Sequence, residues 1–182
     1  MHAFEELIAA LLQREGYWVR ASIKVELSKE EKKAIGRPSS PRWELDVVGY
    51  HAVRNELLIL ECKSYLDSVG VCINDLSDPH ARYSARYKLF SEPELLRVVS
   101  TRLVKQLTDR GSCRPNPVVK LGLAAGRLAR STDQAKLQLF FEAKGWVLWT
   151  PESIVAQLRH LADDGYENST AAMVAKLLLK SG

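Results

Sequence analysis

The pattern of hydrophobic and polar positions turns on the segment Arg42–Tyr65, RWELDVVGYHAVRNELLILECKSY. Apolar and branched residues run through Leu45–Val48 and again through Leu57–Leu60, with Arg54-Asn55 between them, which predicts a β-hairpin. Ahead of it, Phe4, Leu7, Ile8, Leu11 and Leu12 repeat at helical spacing. They predict an amphipathic helix over 4–15 that Gly16 stops. Tyr17–Leu27 reads as a strand. Ser28–Pro41 reads as a polar, solvated and mobile loop that starts with a helical turn, because Ser28-Lys29-Glu30-Glu31 matches a capping box.

Beyond the hairpin, 64–90 reads as an insert without clear periodicity. Tyr83, Tyr87 and Phe90 within it are spaced as one helical packing stripe. A helix is predicted over 92–110 from Leu95, Leu96, Val99, Leu103, Val104 and Leu107, and Gly111–Pro117 breaks it. Val118–Ala125 is a buried strand, 132–144 a helix stopped by Gly145, and Trp146–Trp149 a short strand. Pro151 after Thr150 opens a closing helical pair over 151–162 and 169–180, with Asp163–Asn168 as its turn. An antiparallel hairpin followed by β–α–β units gives an α/β fold, a central mixed sheet with helices on both faces. The expected organisation is one domain over 1–182: a core over 1–150 carrying the insert, and a C-terminal helical pair over 151–182.

Composition narrows this picture. The 182 residues are 46% hydrophobic and 26% charged, ordinary for a soluble globular chain. No apolar run is long enough for a membrane span, so no membrane partner is expected. The first residues lack the basic start and small-residue cleavage site of a signal peptide. The three cysteines, Cys62, Cys72 and Cys113, have no CxxC spacing, which argues against a disulfide framework and a zinc site and for a reducing, cytoplasmic location. Net charge is +4, but His80–Arg114 alone holds eight Lys/Arg against three Asp/Glu. A basic middle suits an anionic partner or a solvated helix face.

Candidate chemistry sits on the hairpin. Side chains alternate along a strand, so Glu61 and Lys63 share a face from which Cys62 points away. With Asp46 on the first strand, three charged groups gather at the end of two apolar strands. Burying them is costly unless a metal or a substrate compensates; a cross-strand Lys63–Asp46 ion pair is the plainer alternative. At about 100° per residue, Glu5 falls beside the apolar stripe of the first helix and Glu6 opposite it. Basic residues that are candidates for phosphate contact are Lys29, Lys32, Lys33 and Arg37 in the loop, Arg82, Arg86 and Lys88 among the aromatics of the insert, and Lys105 on the following helix. No GxGxxG, P-loop or GxSxG occurs, which leaves a small-molecule α/β enzyme without support.

Asp46 followed fifteen residues later by Glu61-Cys62-Lys63, on a hairpin behind an amphipathic helix, resembles the PD-(D/E)XK superfamily of restriction-endonuclease-like nucleases. The front end, FEELIAALLQREGYWV, is similar to Mrr-type restriction nucleases and archaeal Holliday-junction resolvases. Two departures are plain: Leu45 stands where the pattern has proline, and the 64–90 insert has no counterpart. The resemblance implies a restriction-endonuclease-like core and a Mg²⁺- or Mn²⁺-dependent endonuclease that hydrolyses DNA phosphodiester bonds in restriction, repair or recombination. It implies that Asp46, Glu61 and the Cys62 backbone carbonyl hold the metal. Lys63 orients or deprotonates the water or stabilises charge, and Glu5 joins the site directly or through water. A homodimer suits cutting of both strands. The competing expectation is a nuclease-fold protein that binds nucleic acid or a protein without cutting.

Overall fold

The hairpin lies at the middle of a five-stranded sheet. The computed structural model describes residues 3–39, 42–165 and 169–180. Strands β1 (Trp18–Val25), β2 (Trp43–His51) and β3 (Glu56–Lys63) pair antiparallel; β4 (Val118–Ala125) and β5 (Val147–Trp149) add parallel to β3, in the order β1-β2-β3-β4-β5. The chain is thus α/β with a mixed sheet. The hairpin turn is longer than Arg54-Asn55 alone, running through Ala52–Asn55. Asn55 closes it at φ 48°, a conformation asparagine tolerates, and its side-chain amide donates to the Pro115 and Asn116 carbonyls at 3.1 and 3.2 Å.

Helices cover both faces because both faces of the central strands are apolar. The connection from β3 to β4 passes through α3 (Ile73–Ser77), a 3₁₀ turn (Ser84–Arg86), α4 (Lys88–Ser91) and α5 (Pro93–Asp109); that from β4 to β5 passes through α6 (Asp133–Lys144). Two crossovers that step the same way along a sheet belong on one face. There Leu95, Val99, Leu103, Leu137 and Phe141 are buried with Leu57, Ile59 and Leu121. The opposite face carries α1 (Ala3–Arg14), α7 (Pro151–Asp163) and α8 (Thr170–Lys180), where Ile8, Leu11, Leu12, Ile154 and Ala172 meet Val47, Leu58 and Leu60. Among the described residues no helix is long and apolar enough to cross a membrane.

Two local expectations are corrected. Tyr83, Tyr87 and Phe90 do not lie on one helix: Tyr87, at φ −126° and ψ 35°, separates the 3₁₀ turn from α4. Tyr87 and Phe90 are buried while Tyr83 stays half-exposed. The polar loop after β1 is more structured than its composition suggests. It holds α2 (Lys29–Ala34) with a complete Ser28–Glu31 capping box. Arg37 then grips both Glu92 carboxylate oxygens at 2.8 Å and lies 5.5 Å over the Trp43 ring, so it is tied down rather than solvated. Residues 40–41 of this loop and 166–168 of the turn expected between α7 and α8 lie outside the described residues.

Candidate functional site

The site begins where β2 and β3 part. Their pairing runs from His51 opposite Glu56 to Val47 opposite Leu60 and stops there. On the other side of β2, Ala21 pairs with Val47 and Ile23 with Leu45, while Ser22, at φ 52°, leaves the ladder opposite Asp46. The faces also exchange: Ala21 and Val47 pack against the α1 side, Ile23 and Leu45 against the α5 side. Strict alternation would hold all four on one face. The strands turn over at Asp46, whose carboxylate lies in the opening toward β3. There Asp46 Oδ2 accepts the Cys62 N–H at 2.8 Å, in place of a β2 carbonyl. In a strand the N–H and C=O of one residue leave by the same edge, so the Cys62 carbonyl faces this opening too.

Glu61 and Lys63 stand on the same face of β3, as alternation requires. Lys63 Nζ donates to Glu61 Oε2 at 3.1 Å and lies 3.7 Å from Asp46 Oδ2. All three side chains are largely buried: 14% of Glu61, 18% of Lys63 and 25% of Asp46 remain exposed. Glu5 reaches the same region from α1. It is buried while Glu6 is exposed, and its charge is felt at Glu61 and Cys62. The end of β3 is fixed from the other side by β4, where Gly126 N–H donates to the Lys63 carbonyl at 2.9 Å. A Cβ on Gly126 would sit 2.5 Å from the Ser64 carbonyl oxygen, so only glycine lets β4 approach this closely.

The electrostatics follow from burial and crowding. Burial raises the pKa of the Glu61 carboxyl. The Lys63 ammonium pulls it back and the Asp46 and Glu5 carboxylates push it up again, with a raised pKa as the outcome. Burial alone would lower the pKa of Lys63, but Glu61 and Asp46 outweigh it and the ammonium is held above its ordinary range. The Cys62 thiol is pushed up by burial and by the neighbouring carboxylates, which excludes it as a thiolate nucleophile. Within the buried cluster itself acidic side chains outnumber basic ones, with Asp46, Glu61 and Glu5 against Lys63.

The donors facing the opening are all oxygen: the Asp46 and Glu61 carboxylates and the Cys62 carbonyl. This chemistry fits a hard divalent cation such as Mg²⁺ or Mn²⁺, which takes one or two carboxylates and completes its shell with water and substrate phosphate. Among the described residues no group of three or more His, Cys, Asp or Glu side chains is placed to hold a metal ion by itself.

The basic candidates separate into groups. Lys29, Lys32 and Lys33 lie on α2, just beyond the C-terminal end of β1, at the same end of the sheet as Lys63. Arg37 is held by Glu92, and Lys105 pairs with Asp109 along α5 at 2.9 Å. Lys88 opens α4 half-buried. Arg82 and Arg86 line a cleft beside the site, together with Tyr65 and Tyr83. Tyr65 was not singled out from the sequence. It stands two residues after Lys63 at φ 46°, and its side chain hydrogen-bonds Arg86 and Tyr87. Its position next to the Glu-X-Lys was the only sequence signal, and nothing in the pattern foretold its left-handed backbone.

No protein-family model, curated protein or solved structure matches this chain. The site's own geometry, with the motif on its hairpin, is what a functional reading stands on.

Proposed function

We propose that this protein is a Mg²⁺-dependent DNA endonuclease with a restriction-endonuclease-like core. The observation that carries this reading is the convergence of Lys63 Nζ on the Glu61 and Asp46 carboxylates, 3.1 and 3.7 Å away, in the opening between β2 and β3. Phosphodiester hydrolysis needs a positioned water, stabilisation of charge on the phosphoryl oxygens, and help for the leaving oxygen. Asp46, Glu61 and the Cys62 carbonyl would hold a divalent cation, which would supply Lewis-acid stabilisation and an acidified water when bound. Lys63, held as an ammonium by Glu61 and Asp46, orients that water or neutralises charge on the phosphoryl oxygens, within reach of the same carboxylates. Glu5 adds a buried acceptor behind the site, for the cation or for a bridging water. The water oxygen forms a bond to phosphorus as the bond to the leaving oxygen breaks, giving a phosphate monoester and a hydroxyl end. Lys29, Lys32 and Lys33 stand at the same end of the sheet to meet the DNA backbone.

Incubation with supercoiled plasmid and with a branched DNA junction tests this. Nicked or cut products that need Mg²⁺ or Mn²⁺ and vanish with a chelator are expected. DNA bound without product under either metal would overturn the hydrolytic reading in favour of a binding protein.

A further inference from the structure

Resting on the nuclease reading, we infer that the cleft beside the site receives one unpaired nucleotide of the substrate strand, so that the preferred DNA carries an unstacked base next to the cut phosphate. The cleft has a volume of about 580 Å³ and is built from the 64–90 insert and the loop after β4. That volume suits a ligand of the size of one nucleotide.

Its wall brings two tyrosine rings and two guanidinium groups together. The Arg86 guanidinium lies 4.5 Å over the Tyr83 ring and 5.8 Å from that of Tyr65, and Arg82 lies 5.1 Å over Tyr83. Tyrosine rings and guanidinium groups are the side chains on which a splayed-out base stacks, and the positive charge suits its phosphate. Arg130 adds a further cation at the rim. Asp75 and Asp78 line the same cleft. Their carboxylates accept the Tyr83 and His80 backbone N–H groups at 3.3 and 2.8 Å, and their remaining acceptor positions suit the amino edge of a base.

The cleft is anchored to the candidate site. Val71 bridges to Leu128 beyond β4, donating to the Arg127 carbonyl and accepting from Ala129 N–H, each at 2.9 Å. Gly70 packs there so closely that a Cβ would lie 2.6 Å from the Leu128 carbonyl carbon. Tyr65, which lines the cleft, follows Lys63 by only two residues. A strand whose phosphate lies at Lys63 thus has the cleft within reach of its adjoining nucleotide. Within duplex the ring faces of that base are covered by its neighbours, so it must be unpaired to stack here.

The test uses 2-aminopurine, whose fluorescence is quenched by stacking, placed in an oligonucleotide either unpaired in a single-nucleotide bulge or paired in the matching duplex. Binding is measured with Ca²⁺, and cleavage of the same strands is followed with Mg²⁺. The expected result is quenching of the bulged probe, with affinity and cleavage favouring it by about tenfold or more. Tyr83→Ala and Arg86→Ala, each shown folded by circular dichroism, should erase the preference, while Tyr83→Phe, which keeps the ring, retains it. Cleavage of both strands with equal efficiency and no quenching would overturn the cleft assignment and leave the nuclease reading intact. Quenching of the bulged probe with no cleavage of any DNA would support the cleft and overturn the nuclease reading. Free deoxyadenosine monophosphate that competes more tightly than the bulged strand would move the site from a strand to a mononucleotide and overturn the inference.

Discussion

Asp46 accepts the backbone N–H of Cys62 at 2.8 Å, occupying with a carboxylate the place that a β2 carbonyl would fill if the ladder continued. One side chain thus satisfies a strand end and contributes charge to the site. The two roles can be separated. Asp46→Asn keeps an acceptor for Cys62 and should hold stability within about 1 kcal/mol while cleavage is lost. Asp46→Ala leaves the N–H without its partner and should cost about 1–3 kcal/mol. Urea unfolding beside a cleavage assay checks both, and an active asparagine variant would contradict the assigned role of the charge.

Gly126 controls how closely β4 approaches the end of β3. A methyl group there meets the Ser64 carbonyl oxygen at 2.5 Å and Phe4 Cε2 at 3.2 Å, next to Lys63 and Glu5. Gly126→Ala should destabilise by about 1–3 kcal/mol. The displaced strand end should lower kcat by about 10²-fold. Thermal unfolding and single-turnover rates give the two quantities, and an unchanged rate would show that the strand end tolerates the shift.

Arg37 and the lysines of α2 should respond oppositely to removal. Arg37→Ala breaks the two-pronged contact with Glu92 and the stacking on Trp43, and should lower stability by about 1 kcal/mol given the partial exposure of the pair. Lys29→Ala and Lys33→Ala, at exposed positions, should leave unfolding unchanged and reduce the salt slope of DNA binding by about one each. Titrations at several salt concentrations, with unfolding curves, decide it.

The far end of the hairpin carries a pH-sensitive contact. Tyr17 donates to the buried Glu56 carboxylate, which Lys120 also meets at 2.7 Å. Burial pushes the Glu56 pKa up, but the hydrogen bonds from Lys120 and Tyr17 and the charges of Lys120 and Arg54 prevail and hold it below its ordinary 4.5. A lowered folded pKa stabilises above the unfolded value and is lost as pH falls through the folded one. The Tyr17 hydroxyl is pushed from 10.0 up to about 12, by burial first and by Glu56 next, so its contribution is full below pH 10 and fades as pH rises toward 12. Glu56→Gln should therefore cost about 2 kcal/mol at pH 7 and progressively less as pH falls below 4.5 toward the folded pKa. Denaturation curves at neutral pH and in that acidic range test this; an equal cost at both would contradict it.

Much of this arrangement was legible in the sequence where local periodicity decides it. Glu61 and Lys63 share a face because strands alternate, and Glu5 turns inward while Glu6 turns out because helices repeat every 3.6 residues. The rest depends on contacts between distant segments. The partner of Arg37 lies 55 residues away, so composition showed only a basic loop. Tyr83, Tyr87 and Phe90 have spacings that one helix or two successive short turns satisfy equally, and the tie between Val71 and Leu128 selects a bent insert. The turn-over of β1 and β2 at Ser22 and Asp46 is a backbone event, and no residue type announced it.

The central claim is that Lys63, between Glu61 and Asp46, serves phosphodiester hydrolysis and is more than an ion pair at a strand end. Its most direct test is the single-turnover cleavage rate of Lys63→Ala against the unaltered protein, with Mg²⁺ and a DNA substrate that the protein cuts, after circular dichroism has shown the variant folded. A fall of about 10³-fold or more is predicted, from loss of a group that acts on the reacting water and phosphate. A folded Lys63→Ala protein that cuts DNA within about tenfold of the original rate would contradict the account.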